Sequence, residues 1–210
     1  MSPTRQVAAP ALALAGSVPY PWPYDGPVPP GRLAVLVVAA QQGAVNQLEP
    51  AGALASIKRL LEAGRAAGVP AVFVRHGARH PRSRAALPQR GSAGWELLAG
   101  LPEPGDVVVD AAGIDGFYGS DLDRVLRDLG ATHLALAGLG LETFVHSTLR
   151  TANDLGYECV LIEDSCVAAD AGLADAASRI VGMSGGIFGA VATSDALVDA
   201  LASLRQRGGR

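Results

Sequence analysis

A small group of ionisable side chains has the residue types that acid–base catalysis uses. His76, Glu142 and His146 could transfer protons near neutral pH, and Arg75 could bind a carboxylate through its planar guanidinium group. Each also has a structural interpretation: a histidine on a helix surface, a first-turn carboxylate that complements the helix dipole, or a solvated arginine. The first three are therefore candidate catalytic residues, and Arg75 is a candidate substrate-binding residue.

Metal and thiol chemistry have less support in the sequence. His76 and His80 are four residues apart in HGARH, but the glycine between them and the following Pro81 argue against a helix that would align both rings on a metal. Cys159 and Cys166 fit neither a disulfide framework nor a paired zinc motif. Cys166 could be a nucleophile, although a small buried hydrophobic residue is the favoured interpretation. We expect no metal and no cofactor.

The elements that position these residues alternate between short apolar runs and amphipathic helical segments. The predicted strands are LAVLVVA, AVFVR, DVVVD, HLALAG, YECVLIE and IFGAV, and the predicted helices cover residues 51–67, 121–129, 142–156, 170–182 and a segment from about Ser194. Strands that are apolar on both faces and alternate with helices indicate a mostly parallel sheet between two helical layers. The predicted fold class is therefore α/β, with a three-layer α/β/α, Rossmann-like architecture. Ligands in such folds bind outside the carboxyl ends of the strands.

Local signals refine two of the predicted helices. Ser120 and Asp123 have capping-box spacing, and Gly130 is expected to end the same helix. In the helix after the fourth strand, Phe144 lies in the first turn, one step off the apolar stripe that begins at Val145. Phe144 either faces the carboxyl edge of the sheet or is an ordinary core aromatic, and periodicity alone favours the core.

Composition and charge limit the classes of partner. The 210 residues suit one domain, which we place at 31–204, with an extended Pro/aromatic arm at 1–30 and a flexible tail at 205–210. The formal net charge is -3 without a block of Lys or Arg, and no apolar run is long enough to span a membrane, so we expect neither nucleic-acid nor membrane binding. Segment 7–16 resembles a signal peptide only weakly, and the two cysteines are interpreted as reduced thiols. Both points favour a cytoplasmic protein. The arm should pack on the domain or on a neighbouring subunit.

Three stretches of the chain resemble the isochorismatase-like cysteine hydrolase superfamily. They are GFYGSDLDRVL, the run GLGLETFVHSTLRTANDLGYECVLIEDSCVAAD that begins at Gly138, and GMSGGIFGAV. Within the superfamily, the sequence is most similar to the branch of biuret hydrolase and ureidoacrylate amidohydrolase, which shares an arm like PYPWPYDG. The resemblance covers nearly the whole chain from Val18 and implies the isochorismatase-like fold.

The resemblance also implies where a catalytic triad should lie, and that triad is missing. The superfamily cleaves amide-like C–N bonds with an Asp, a Lys and a Cys nucleophile, and the motif aligned without gaps places them at Ala39, Ala111 and Phe144. Asp110 is not a substitute for the lysine, because its charge is opposite and a one-residue step along a strand points to the other face. We therefore expect the fold without classical cysteine amidohydrolase activity.

Three functions remain open. The first is a non-catalytic pseudoenzyme subunit, either in a homo-oligomer or in a hetero-oligomer with an active relative, since the superfamily forms oligomers. The second is a repurposed enzyme, such as a lyase, a cyclase or a non-covalent hydrolase, which would use the acid–base residues. The third is a small-molecule sensor or carrier whose pocket lies beside the Gly140 turn, with an apolar wall for a flat ligand. The predicted wall residues are Phe144, Phe117, Tyr118 and Trp95.

Overall fold

A computed structural model describes residues 11–45, 48, 50–78 and 87–208. Its centre is a six-stranded, fully parallel sheet with the strand order β3-β2-β1-β4-β5-β6. The strands are β1 (Leu33–Val38), β2 (Ala71–His76), β3 (Val107–Ala111), β4 (His133–Leu139), β5 (Glu158–Val167) and β6 (Ala190–Ala192). The helices are α1 (Gln42–Val45), α2 (Ala51–Ala66), α3 (Leu122–Asp128), α4 (His146–Asp154), α5 (Ala171–Val181), α6 (Met183–Gly186) and α7 (Ser194–Gly208). Short 3-10 turns cover Pro30–Arg32 and Ala93–Trp95.

Two hydrophobic cores cover the two faces of this sheet. On one face, α2 and α7 pack through residues such as Ile57 and Leu201, and on the other α3, α4 and α5 pack through residues such as Leu126 and Leu149. Every residue of β1 is buried, because this central strand faces helices on both sides. Each fully buried Leu, Ile or Val side chain contributes about 1.5–3 kcal/mol. The predicted three-layer α/β/α fold with a parallel sheet is confirmed.

The order of the strands reverses between β1 and β4, at the centre of the sheet. There the two backbones approach so closely that only glycine fits at position 138: a Cβ atom on Gly138 would lie 2.0 Å from the carbonyl oxygen of Val38. In open α/β sheets the crevice at this reversal is the usual place for a ligand.

The described part of the N-terminal arm packs on its own domain. Leu12, Leu14, Trp22 and Val28 are buried within the core on the α2/α7 face. The arm also extends the sheet, because Val18 forms an antiparallel bridge with Val191 of β6. The two N···O distances are 2.9 and 2.7 Å. Of the two placements expected for the arm, residues 11–30 show the one on the domain.

Some local details differ from the sequence expectations. The Ser120 hydroxyl accepts a hydrogen bond from the Leu122 amide at 3.3 Å rather than from Asp123, so the capping-box prediction was wrong. The strand expected at residues 187–191 begins only at Ala190, because α6 and a turn with left-handed glycines precede it. None of the helices within the described residues is both long and apolar enough to cross a membrane.

Candidate functional site

A cavity of about 520 Å³ opens at the carboxyl edge of the sheet, where β1 and β4 end. Its lining comes from the loop after β1, the end of β2, the turn after β4 and the segment after β5. The described lining residues are Ala39, Gln41, Gly43, Ala44, Leu48, His76, Leu87, Pro88, Gly140, Glu142, Thr143, Phe144 and Ala169. The volume is in the range of small-molecule sites.

The backbone at this edge is strained at Ala39. This residue has φ +54°, a left-handed conformation that disfavours residues with a Cβ atom by about 1–2 kcal/mol. Its amide donates to the carbonyl of Val74 at 3.0 Å, and its carbonyl accepts from the Gln41 amide at 2.8 Å. These two hydrogen bonds hold Ala39 in the strained conformation, which is common at functional sites.

Phe144 faces the cavity rather than the middle of the core. Its half-buried ring lies against the imidazole of His76, with 4.8 Å between the ring centroids, and it also contacts Gly140. A Cβ atom at Gly140 would lie 2.6 Å from Cδ2 of Phe144, so the ring requires glycine there. Periodicity favoured the core because it assumed a regular α-helix, whereas Leu141–Val145 form a π-helical turn that changes the phase of the side chains.

His76 is a neutral, oriented base beside this ring. It is only 1% exposed, and Nδ1 donates to the carbonyl of Gly113 at 2.8 Å, which leaves the lone pair on Nε2. Nε2 is buried and has no hydrogen-bond partner among the described residues. Burial lowers the pKa of His76 to about 4, so the imidazole is uncharged at neutral pH.

Gln41 fixes the backbone around His76. Its Oε1 accepts from the His76 amide at 2.7 Å, and its Nε2 donates to the carbonyls of His76 at 3.1 Å and Trp95 at 2.9 Å. Sequence analysis did not assign Gln41 a role, because it cannot ionise. One feature of the sequence could have identified Gln41: it is a polar amide directly after a buried strand. At such a position its hydrogen-bonding groups need partners from other parts of the fold.

Glu142 lies in the first turn after β4 and contributes a carboxylate to the cavity. Oε1 accepts from the Ala169 amide at 3.1 Å, which ties the side chain to the segment after β5. Oε2 is buried and has no partner in the part of the chain that the structure describes. The structure therefore brings Glu142 and His76 into one cavity wall.

His146 lies outside the cavity. It is buried beside Arg150 in a groove between α4 and α5 that Glu142 also lines, and Phe188 packs edge-on at a centroid distance of 6.3 Å. Burial, reinforced by the charge of Arg150, lowers the pKa of His146. The three predicted acid–base residues therefore do not share one wall: Glu142 lines the cavity together with His76 and the groove together with His146.

Arg75 is engaged in ion pairs outside the cavity lining. Its Nε donates to Asp110 at 2.7 Å, its Nη1 lies 3.7 Å from a Glu96 carboxylate oxygen, and its guanidinium lies 3.7 Å from the centre of the Trp95 ring. Asp110 points away from Ala111, as alternation along β3 requires. The structure does not place Arg75 where it would bind a carboxylate ligand in the cavity.

The predicted aromatic wall is also dispersed. Of its four residues, Phe144 lines the cavity, whereas Phe117 stacks on Tyr157 at 6.2 Å and Tyr118 is 59% exposed to solvent. Trp95 packs against Arg75. The three residues outside the lining come from the loops after β2 and β3, whose course the sequence did not define.

The positions that the resemblance assigns to the triad lie on the same side of the sheet. Ala39 and Phe144 line the cavity, and Ala111 is buried at the end of β3, opposite His76 in the parallel register. Alanine and phenylalanine side chains offer neither a nucleophile nor a base.

The cysteines and a metal site offer no replacement within the described residues. Burial raises the pKa of Cys159, and it raises that of Cys166 to about 12, so both thiols are protonated at neutral pH. No group of three or more His, Cys, Asp and Glu side chains in the described ranges is arranged to hold a metal ion. His80 lies outside the described residues.

Comparisons with known proteins agree with this architecture. Ureidoacrylate amidohydrolase RutB from Variovorax paradoxus is 34% identical over 140 residues, which are 54% of this chain and 56% of that protein. The protein of the same name from Pseudomonas syringae pv. syringae is 28% identical over 173 residues, 65% of this chain and 71% of its own. The chain thus spans little more than half the length of the first of these relatives.

Solved structures share the fold. A cysteine hydrolase from Pseudomonas syringae pv. phaseolicola matches 94% of this chain and 100% of its own, with a TM-score of 0.78 at 23% identity. An isochorismatase family protein from Burkholderia thailandensis matches 82% of this chain and 96% of its own, with a TM-score of 0.69 at 26% identity.

Fold and cavity together define a three-layer α/β protein whose candidate site lies at the reversal of strand order. The family model described as Isochorismatase domain matches residues 34–196, well over half of the chain. The chain belongs to the isochorismatase family, as the sequence resemblance indicated.

Proposed function

We propose that this chain is a small-molecule-binding member of the isochorismatase family that does not carry out the cysteine hydrolase reaction. The observation that carries the proposal is the pairing of an open cavity of about 520 Å³ with Ala39 and Phe144 in its wall. The cavity keeps room for a ligand, and the residues at the expected catalytic positions are inert.

The chemistry of amide cleavage supports this proposal. A thiolate nucleophile needs a neighbouring base or cation to form, and the described lining contains no cysteine, lysine or arginine. Phe144 also occupies space beside Gly140, at the turn where the nucleophile would lie. The same losses fit a pseudoenzyme subunit in a cytoplasmic assembly with itself or with an active relative, which stays part of the proposal.

A second candidate function is acid–base catalysis without a covalent intermediate. The observation that favours it is the presence of His76, a base with a fixed tautomer, and Glu142 in one cavity wall. Repurposed catalysis would require a ligand to reach Nε2 of His76, which is buried next to Phe144. Turnover of any ligand that His76→Gln abolishes, without loss of ligand binding, would establish this second function.

Binding is tested with a fragment library and ligand-observed NMR. The Ala44→Phe variant places a phenyl group in the cavity lining, whereas Ala55→Phe makes the same change on the exposed side of α2. We expect fragments that bind the wild-type protein and Ala55→Phe but not Ala44→Phe. Binding that Ala44→Phe leaves unchanged would locate the ligand elsewhere and contradict the proposal.

Catalysis is tested with ureidoacrylate, the substrate after which the relatives are named. We expect the wild-type protein to release no product above the rate of the uncatalysed reaction. Hydrolysis that Ala44→Phe abolishes and Ala55→Phe preserves would show a working catalytic site in this cavity and would refute the loss of hydrolase chemistry.

A further inference from the structure

The polar side chains of the cavity wall have all of their donors engaged. The described lining contains four such side chains: Gln41, His76, Glu142 and Thr143. Both N–H groups of Gln41 donate to backbone carbonyls, Nδ1–H of His76 donates to Gly113, and the hydroxyl of Thr143 donates to Gly140 at 3.2 Å.

The hydrogen-bonding groups that remain free on these side chains are therefore all acceptors. Nε2 of His76 holds a free lone pair, because its tautomer is fixed and burial lowers its pKa to about 4. Oε2 of Glu142 is a carboxylate oxygen without a partner. Buried polar atoms without partners are rare in native proteins, so each of these two acceptors is expected to have a donor as its partner.

The charges of the lining side chains also limit which ligands the cavity can bind. Glu142 is the one ionisable carboxylate in the described lining, which holds no lysine or arginine, and the low pKa of His76 keeps its imidazole neutral. The carboxylate is positioned in advance, since the Ala169 amide holds Oε1 at 3.1 Å. A charged hydrogen bond to such a group is about twice as strong as a neutral one.

The rest of the described lining is mainly apolar. Leu48, Leu87, Pro88, Phe144 and several alanines form this part of the surface. A ligand that fits this wall therefore needs an apolar body as well as a group that donates hydrogen bonds.

Resting on the proposed small-molecule function, we propose that the cavity takes a cationic N–H donor, such as an amidinium or a primary ammonium group on an apolar ring, with Glu142 as its anchor. The N–H groups of such a ligand supply the donors that Oε2 of Glu142 lacks. The ring lies against the apolar part of the wall.

Three ligands of the same shape test the proposal: benzamidine as the cation, benzamide as the neutral analogue and benzoate as the anion. Calorimetry on the wild-type protein should give an affinity for benzamidine at least about tenfold above that for the other two. Equal or tighter binding of benzamide or benzoate overturns the inference. Fragments that bind only when Ala44 is intact would then still support the cavity as a binding site, so the two proposals can fail separately.

A matched pair of variants tests the anchor. Glu142→Gln removes the charge but keeps an oxygen for the Ala169 amide, and Glu62→Gln makes the same change on the exposed side of α2. We expect Glu142→Gln to weaken benzamidine binding by about tenfold or more and to leave benzamide within about threefold, while Glu62→Gln changes neither. Unchanged benzamidine binding by Glu142→Gln overturns the assignment of Glu142.

Discussion

The ring of Phe144 lies against the imidazole of His76 at a centroid distance of 4.8 Å, and Nε2 of that imidazole is buried without a partner among the described residues. This contact places an aromatic ring on the imidazole that lines the cavity. The resemblance assigns Phe144 to the position of the superfamily's nucleophile, and under the proposed function this residue replaces the nucleophile and packs on the neighbouring imidazole.

Removal of the Phe144 ring should return the pKa of His76 toward that of a solvent-exposed histidine. Desolvation is the main reason that the pKa of His76 lies near 4, and Phe144→Ala admits water beside Nε2. We expect the pKa to rise by a unit or more toward about 6.5, as followed by NMR titration of the imidazole. Phe117→Ala, which removes a ring stacked on Tyr157, is the control and should leave it near 4. No rise in Phe144→Ala would show that its ring does not exclude water from His76.

His76 should make the stability of the fold depend on pH. Its pKa is lower in the folded protein than in the unfolded chain, so the unfolded state binds more protons between about pH 6.5 and 4. The free energy of unfolding should therefore fall as the pH drops through this window, by an amount on the order of 3 kcal/mol for His76 at the lower end. His146 acts in the same direction, because its pKa is lowered too.

Urea denaturation at several pH values checks this linkage. His76→Gln removes the titrating group, so its free energy of unfolding should decrease less between pH 6.5 and 4 than that of the wild-type protein. The same decrease in both proteins would assign the acid sensitivity to other groups.

Gln41 should contribute more to stability than a surface amide. Gln41→Leu leaves the amide of His76 and the carbonyls of His76 and Trp95 without their partner, and each buried unsatisfied group costs about 1–3 kcal/mol. We expect a loss of more than about 2 kcal/mol in chemical denaturation. Gln42→Leu is the adjacent control and should change the free energy by less than about 1 kcal/mol. Equal losses would mean that the Gln41 bridge does not hold the loop.

Gly140 and Phe144 should be energetically coupled. Gly140→Ala combines a left-handed backbone at φ +70° with a Cβ atom 2.6 Å from the Phe144 ring. Gly68→Ala has a similar φ of +74° but open space around its Cβ atom, so it measures the backbone strain alone. The Gly140 variant should lose more stability than the Gly68 variant.

A double-mutant cycle isolates the steric part of that loss. In Gly140→Ala/Phe144→Ala the ring is absent, and the extra destabilisation should shrink by about 1 kcal/mol or more relative to the sum of the single variants. Additive losses would show that the ring moves aside without penalty.

The elements of the fold were predictable because each depends on local periodicity. The apolar run from Leu33 to Val38 and the helix α3, which ends just before the left-handed Gly130, lie where the pattern placed them. The capping box was wrong because Ser120 bonds to its nearer neighbour Leu122. Family membership followed from the long run of matching residues after Gly138.

The site was only partly predictable, since it is assembled by tertiary hydrogen bonds. The amide of Gln41 reaches the segments of His76 and Trp95, and Glu142 reaches Ala169, which no local pattern encodes. His146 was grouped with Glu142 on the assumption of a regular helix, whereas a π-helical turn at Leu141–Val145 precedes α4. The predicted aromatic wall was wrong for a similar reason, because its loop residues pack against other side chains.

The most direct test of the central claim is calorimetry of the tightest-binding fragment on the wild-type protein and Ala44→Phe, with the ligand recovered and quantified after incubation. We expect one binding site in the wild-type protein, none in Ala44→Phe, and a ligand that is returned chemically intact. Binding that survives Ala44→Phe would contradict the cavity as the site, and a hydrolysed ligand would contradict the loss of hydrolase chemistry.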